Sequence, residues 1–167
     1  MERHATLATV RDFMRTDVFS LRPGMQMKQA LEALQRRGRR AAPVVDTLGR
    51  PVGMFSESDC LRVLASVTSH EDPLGTVADH MTAPVKTLSP DLDVYRAAER
   101  FSASKLRVLP VVEGGKVVGV VTPGDLARAL WQIQQQRESD PGGRKPEGAA
   151  WDPEQSANRD RRTTRSS

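Results

Sequence analysis

Two stretches of the chain carry apolar residues at i, i+3, i+4 and i+7: Met27, Ala30, Leu31 and Leu34, then Val94, Ala97, Ala98 and Phe101. That spacing puts one apolar stripe on each of two amphipathic helices. Ahead of each helix lies a short β-rich run, 17–21 and 84–88, closed by Arg22-Pro23 and Ser89-Pro90. Proline biases the residue before it away from helix, so both runs read as strands. Two further β-rich runs follow each helix, 42–46 with 51–55 and 109–113 with 117–122, joined by Gly-bearing loops of hairpin length. A second helix then starts at Ser56 or Thr122 and carries Cys60, Leu61 and Leu64, or Leu126, Ala127 and Leu130. The order strand, helix, strand, strand, helix is written twice, an α/β (α+β) pattern.

The two copies align residue by residue. At an offset of 67, Val10-Arg-Asp-Phe-Met14 falls on Val77-Ala-Asp-His-Met81, Val18 on Val85, Ser20 on Thr87, Pro23 on Pro90 and Ala30 on Ala97. Pro43-Val44-Val45-Asp46 falls on Pro110-Val111-Val112-Glu113. Past the next turn the offset becomes 66, because Thr47-Leu48-Gly49-Arg50 is one residue longer than Gly114-Gly115-Lys116. A Gly-containing turn is where a duplicated fold tolerates an insertion. Gly53-Met-Phe-Ser56-Glu-Ser-Asp59 then matches Gly119-Val-Val-Thr122-Pro-Gly-Asp125.

This order, with Pro-Val-Val-Asp before a hairpin and Gly-h-h-Ser/Thr-x-x-Asp after it (h apolar), resembles the cystathionine-β-synthase (CBS) domain, and the tandem pair resembles a Bateman module. The resemblance covers about three quarters of the chain: a first domain over 5–68, a second over 69–133, then a tail. It implies two domains packed by a pseudo-twofold with two clefts between them, and often dimerisation into a flat disc. The clefts of such modules typically take adenosine-containing ligands: AMP, ADP, ATP or S-adenosylmethionine. Two departures stand out. Arg39 takes the place that Leu106 fills in the second copy, and neither Glu57-Ser58 nor Pro123-Gly124 supplies the base that relatives often carry between hydroxyl and Asp.

Ser56-x-x-Asp59 and Thr122-x-x-Asp125 support two compatible readings. In one, the hydroxyl caps a helix, the Asp at N3 sits in the positive end of the dipole, and Pro123 at N1 wastes no N–H. In the other, the helix start that follows a strand is an anion site, and its carboxylate accepts the two hydroxyls of a ribose. A carboxylate beside a phosphate would be repelled, so the phosphate needs a base. Arg40 and Arg107, at equivalent places three residues before Pro43 and Pro110, are the candidates, while Arg62 and Arg128 stand at i+3 from the Asp residues and suit an ion pair. Lys105 and Arg39 read as solvated. By resemblance, the adenine would be held by Val18, Ser20 and Ala42 in one cleft and by Val85, Thr87 and Leu109 in the other. The second copy departs less from the family pattern, so Asp125 is expected to serve the stronger site.

Composition narrows the alternatives. The 167 residues hold 25 Lys+Arg against 21 Asp+Glu, and the signs interleave, so the pI near 9.7 does not amount to a strong basic field. Two Trp, one Tyr and four Phe offer few platforms for stacking bases, so nucleic acid is not the expected partner. A single cysteine, Cys60, excludes an internal disulfide or a multi-Cys metal cluster, and His4, His70 and His80 lack ligand spacing. No His lies near a nucleophile in a motif and no Gly-rich phosphate loop is present, so no catalytic residues are assigned and an enzyme is not expected. With no apolar leader or span, a cytoplasmic protein is expected. From Gln134 on, the only apolar residues are Ala149, Ala150, Trp151 and Ala157, too few to offset the entropy of ordering, and a disordered tail over 134–167 is expected. The output of such a module, with no fused catalytic domain, would pass through a homodimer or an unidentified effector protein. The alternative is a dimerisation scaffold that has lost its ligand sites.

Overall fold

A computed structural model describes residues 8–66, 74–103 and 106–139. Its first copy contains α1 (Val10–Phe13), α2 (Met27–Arg36), β1 (Ala41–Val45), β2 (Pro51–Ser56) and α3 (Glu57–Ser66). Its second contains α4 (Val77–His80), α5 (Val94–Ser102), β3 (Leu109–Glu113), β4 (Lys116–Val121) and α6 (Pro123–Ser139). Each hairpin is an antiparallel pair whose register slips at the same place, between Val44 and Val45 and between Val111 and Val112. The lengths of the two turns differ by one residue, yet both close on glycines with positive φ, Gly49 at 80° and Gly115 at 78°. Only glycine enters that region without a Cβ penalty. Among the described residues no helix is long and apolar enough to cross a membrane.

The lead runs 17–21 and 84–88 are not full strands. Each contributes one residue to its sheet: Leu21 pairs in parallel with Val44, and Leu88 with Val111. Leu21 donates to Pro43 O and accepts from Val45 N, and Leu88 repeats this with Pro110 and Val112. Elsewhere in these runs no backbone pairing with a strand is made. The Val18 N–H bonds locally to Thr16 O, and Pro84 has none to give. The composition shift after Ile133 does not end the last helix, which runs on to Ser139; the tail expected beyond it lies outside the described residues, as do His4, His70 and Lys105.

Two apolar cores form, and each is completed by the opposite copy. One gathers Leu21, Met27, Ala30, Leu34, Ala42, Val44, Phe55 and Cys60 from the first copy, together with Val77 of α4. The other gathers Leu88, Val94, Ala97, Phe101, Leu109, Val111, Val121, Leu126 and Ala129 from the second copy, together with Val10 of α1. The lead-in helices are therefore exchanged. Backbone pairs fix the exchange: Arg15 with Val120, and Thr82 with Met54, each antiparallel. A Cβ on Gly53 would stand 2.3 Å from Met81 Sδ, and one on Gly119 2.7 Å from Met14 Sδ, so both glycines are the holes into which the opposite methionine fits. Capping boxes at Thr9/Asp12 and Thr76/Asp79 hold these one-turn helices, with the backbone N–H of each Thr 2.7 Å from its Asp carboxylate. Pairwise exchange of equivalent elements is the contact pattern of a pseudo-twofold.

Candidate functional site

The cap reading of both Ser/Thr-x-x-Asp motifs is met in full. Ser56 donates from N and Oγ to one Asp59 carboxylate oxygen at 2.8 and 2.7 Å, and the Asp59 N–H returns to Ser56 Oγ at 3.4 Å. Thr122 and Asp125 repeat the box at 3.0, 2.7 and 3.3 Å. The Asp residues are buried, Asp125 completely. Their second oxygens differ. Among the described residues, Asp59 Oδ1 accepts only from Arg62, one turn along α3. Asp125 Oδ1 accepts from Arg128 at 2.5 Å and also from Arg15 Nε at 2.9 Å, reaching over from the lead segment of the first copy. Burial pushes the Asp125 carboxyl up, but the hydrogen bonds from Thr122 and Arg15 outweigh it and hold the group below the usual carboxylate value. Cys60, beside Asp59, is held above the ordinary thiol value by burial and by that carboxylate, which keeps it a thiol at neutral pH.

Two concavities open between the copies. One, of about 420 Å³, is bounded by Arg15, Asp17, Phe19, Arg39, Ala41 and Pro43 of the first copy and by Val108, Val120, Thr122 and Pro123 of the second. The other, of about 370 Å³, is bounded by Ala41, Met54, Ser56, Glu57, Asp59 and Leu61 of the first and by Thr82, Leu106 and Val108 of the second. Both volumes suit a small molecule. Arg40 and Arg107 lie on the walls of both, so one pair of exposed guanidiniums serves two cavities. Arg39 is not simply solvated. It reaches Asp17 at 3.5 Å on the wall of the Thr122 cleft, where Leu106 of the second copy packs instead against its core.

Of the residues singled out in the sequence, Arg40, Arg107, Ser56 and Asp59 come together in the second cavity, and Thr122 joins the arginines in the first. Asp125 lies behind Thr122, covered by Arg15, and reaches neither wall. The apolar walls are displaced by one residue. Ala42 and Leu109 point into the cores, 1% and 2% exposed, while their neighbours Ala41 and Val108 face the clefts. Val18 and Ser20 are half-buried off the walls, and Asp17 and Phe19 line the Thr122 cleft instead; Val85 and Thr87 are half-buried and line neither. A strand alternates faces at every residue, so a shift of one exchanges core for cleft. Arg15 and Thr82 carried no signal in the motifs. Their place immediately after Met14 and Met81, where each lead segment crosses to the other copy, is what brings them to the clefts.

This architecture is that of a tandem pair of small α/β domains with paired clefts, and the comparisons define the class. The CBS domain profile matches residues 10–66 and 77–132, and the chain belongs to the CBS domain family, with two domains in tandem. It is 31% identical to CBSX2 in a structure of its AMP complex, with a TM-score of 0.67 over 75% of this chain and 98% of that one. The CBS domain pair of protein MJ0100, in complex with 5-methylthioadenosine and S-adenosylmethionine, is 25% identical at a TM-score of 0.67, over 76% of this chain and 98% of that one. The A-adding tRNA nucleotidyltransferase of Aquifex aeolicus is 35% identical over 130 residues, which is 78% of this chain but 15% of that protein.

Proposed function

We propose that the chain is a regulatory module that binds an adenosine-containing ligand (AMP, ADP, ATP or S-adenosylmethionine) between its two CBS domains and passes the signal to an effector protein. The observation that carries this reading is the Asp59 cleft. There a carboxylate with one side-chain cation, two guanidiniums with no ion-pair partner among the described residues, and the apolar Ala41, Val108, Met54 and Leu61 surround one space. Asp59 offers its remaining acceptor capacity to a ribose, Arg40 and Arg107 meet a phosphate, and the apolar residues hold a base. The AMP bound to CBSX2 and the S-adenosylmethionine bound to MJ0100 support the same ligand class. Because both copies build the cleft walls, a ligand there binds one arrangement of the two domains better than another and shifts their populations. A homodimer is part of the reading: Leu61 and Leu64 on α3 and Trp131 on α6 are large apolar side chains left 66%, 48% and 65% exposed.

The test is a thermal-shift screen with those four ligands, followed by calorimetry. At a hundredfold excess over Kd the stabilisation is about 2.7 kcal/mol, a rise in Tm on the order of 5–10 °C. No shift and no heat with any of them would leave the scaffold reading, which one observation favours: the Asp125 carboxylate already has every acceptor position filled from within the chain.

A further inference from the structure

The two copies place Arg15 and Thr82 at the same point of the fold. Arg15 exchanges N–H and C=O with Val120, both at 2.9 Å, and Thr82 does the same with Met54 at 2.8 and 2.9 Å. Each follows the methionine that fills the opposite glycine, and each stands on a cleft wall beside the opposite copy's cap box. The side chains act in opposite ways. Arg15 crosses to Asp125 and takes its second oxygen, so that a carboxylate with no exposed surface carries two guanidiniums and a complete cap box. The threonine hydroxyl at 82 makes no such bridge, and Asp59 keeps one guanidinium and stays on its wall.

We propose that Arg15 is the residue that makes the clefts unequal: it acts as an internal cation that closes the Asp125 carboxylate to a nucleoside, leaving one nucleoside site per chain, at Asp59. The inference rests on the ligand reading above and deepens it. A ribose approaching Asp125 has to displace a charge-assisted hydrogen bond from a buried carboxylate, whereas one approaching Asp59 finds a free acceptor position; hydrogen bonds to charged groups are the costlier ones to break. The expectation from sequence that Asp125 serves the stronger site is thereby reversed, because the cation that decides it comes from the other copy.

The pseudosymmetry supplies the test, since exchanging the two residues makes either cleft resemble the other. AMP and, separately, S-adenosylmethionine are titrated by calorimetry into the full chain and into Arg15→Thr and Thr82→Arg. One nucleoside per chain is expected for the unaltered protein and two for Arg15→Thr. Binding weakened by about tenfold or more is expected for Thr82→Arg, which builds the same bridge onto Asp59. Thr82→Arg leaves the Asp125 network untouched and keeps the test open if Arg15→Thr folds poorly. Two equal sites in the unaltered protein, or an unchanged stoichiometry in Arg15→Thr together with unchanged affinity in Thr82→Arg, would overturn the assignment. So would two sites of which Arg15→Thr removes one, because Arg15 would then be a phosphate ligand. Absence of heat with both probes removes the ligand reading itself, and this inference with it.

Discussion

Replacing each cap-box carboxylate by its amide separates the two copies by stability alone. In Asp125→Asn the side-chain oxygen can remain on Thr122, but the amide nitrogen then faces Arg15 and Arg128, and two charge-assisted hydrogen bonds are lost. At full burial each would cost roughly 1.5–3 kcal/mol. The arginine side chains are 41% and 60% exposed, so water takes up part of that loss, and the net expectation is about 2–4 kcal/mol. For a folded unit of this size that is a fall in Tm on the order of 10 °C. Asp59→Asn loses one bond, to an Arg62 that is 70% exposed, and should cost about 1 kcal/mol. The pH dependence gives an independent sign. The Asp125 carboxyl is held below its ordinary value of 3.8 in the folded protein, so its contribution is fully present above that value and is lost as pH falls through the lower folded one. Urea denaturation from pH 7 down to pH 2.5 should therefore show a gap between wild type and Asp125→Asn that holds to about pH 4 and closes below it. Equal costs for the two amides, or a gap that widens in acid, would refute the bridge from Arg15.

Gly53→Ala should destabilise by about 1–3 kcal/mol through the clash with Met81, and Met81→Ala in the same chain should recover part of that loss, whereas Gly24→Ala, with no atom within 4 Å of the added carbon, should stay within about 0.5 kcal/mol on urea denaturation. Val10→Ala should cost about 2 kcal/mol and reduce hydrogen-exchange protection in β3 and β4 more than in β1 and β2, with Val77→Ala doing the reverse; loss of protection within the mutated copy's own hairpin would contradict the exchange of lead-in helices. If α3 and α6 meet a second copy, light scattering should show a dimer that Trp131→Glu dissociates, and a mass unaffected by that change would remove the helices from the interface.

Most of the fold was legible because its signals are local. The stripes of α2 and α5, the two hairpins, and the caps at Ser56 and Thr122 each follow from spacing within about ten residues, and the CBS resemblance rests on those same positions. The lead segments were not legible in the same way. Residues 17–21 and 84–88 have β composition, yet only Leu21 and Leu88 pair with a strand of their sheet, a contact that depends on where the lead segment runs rather than on its own residues. The site was legible where a residue acts on its own helix, as with Asp59, Ser56 and Arg62. It was not where contact depends on which copy a segment packs against. Nothing within the spacing of Val10 to Arg15 says that this segment belongs to the second core, so the cation that reaches Asp125 had no local mark.

A duplicated chain does carry one non-local signal, the comparison of its halves. Many positions kept alike across the offset are ones the structure buries or closes against backbone: Val10 with Val77, Leu21 with Leu88, Ala30 with Ala97, Gly53 with Gly119, and the two cap boxes. Positions that change character include Arg15 against Thr82, Asp17 against Pro84, Phe19 against Lys86 and Arg39 against Leu106, and at least one member of every pair lines a cleft. The division has a physical cause. A core position keeps its apolar character in both copies, and where its volume changes a neighbour compensates: Ala42 pairs with Phe55 in one hairpin, Leu109 with Val121 in the other. A wall position borders open space, so charge, size and polarity can diverge without cost to folding. Arg40 and Arg107 break the pattern informatively: they face the clefts and yet remain identical. Because each lies on both walls, a change in either would alter both cavities at once, whereas a change at 15 or 82 alters only one.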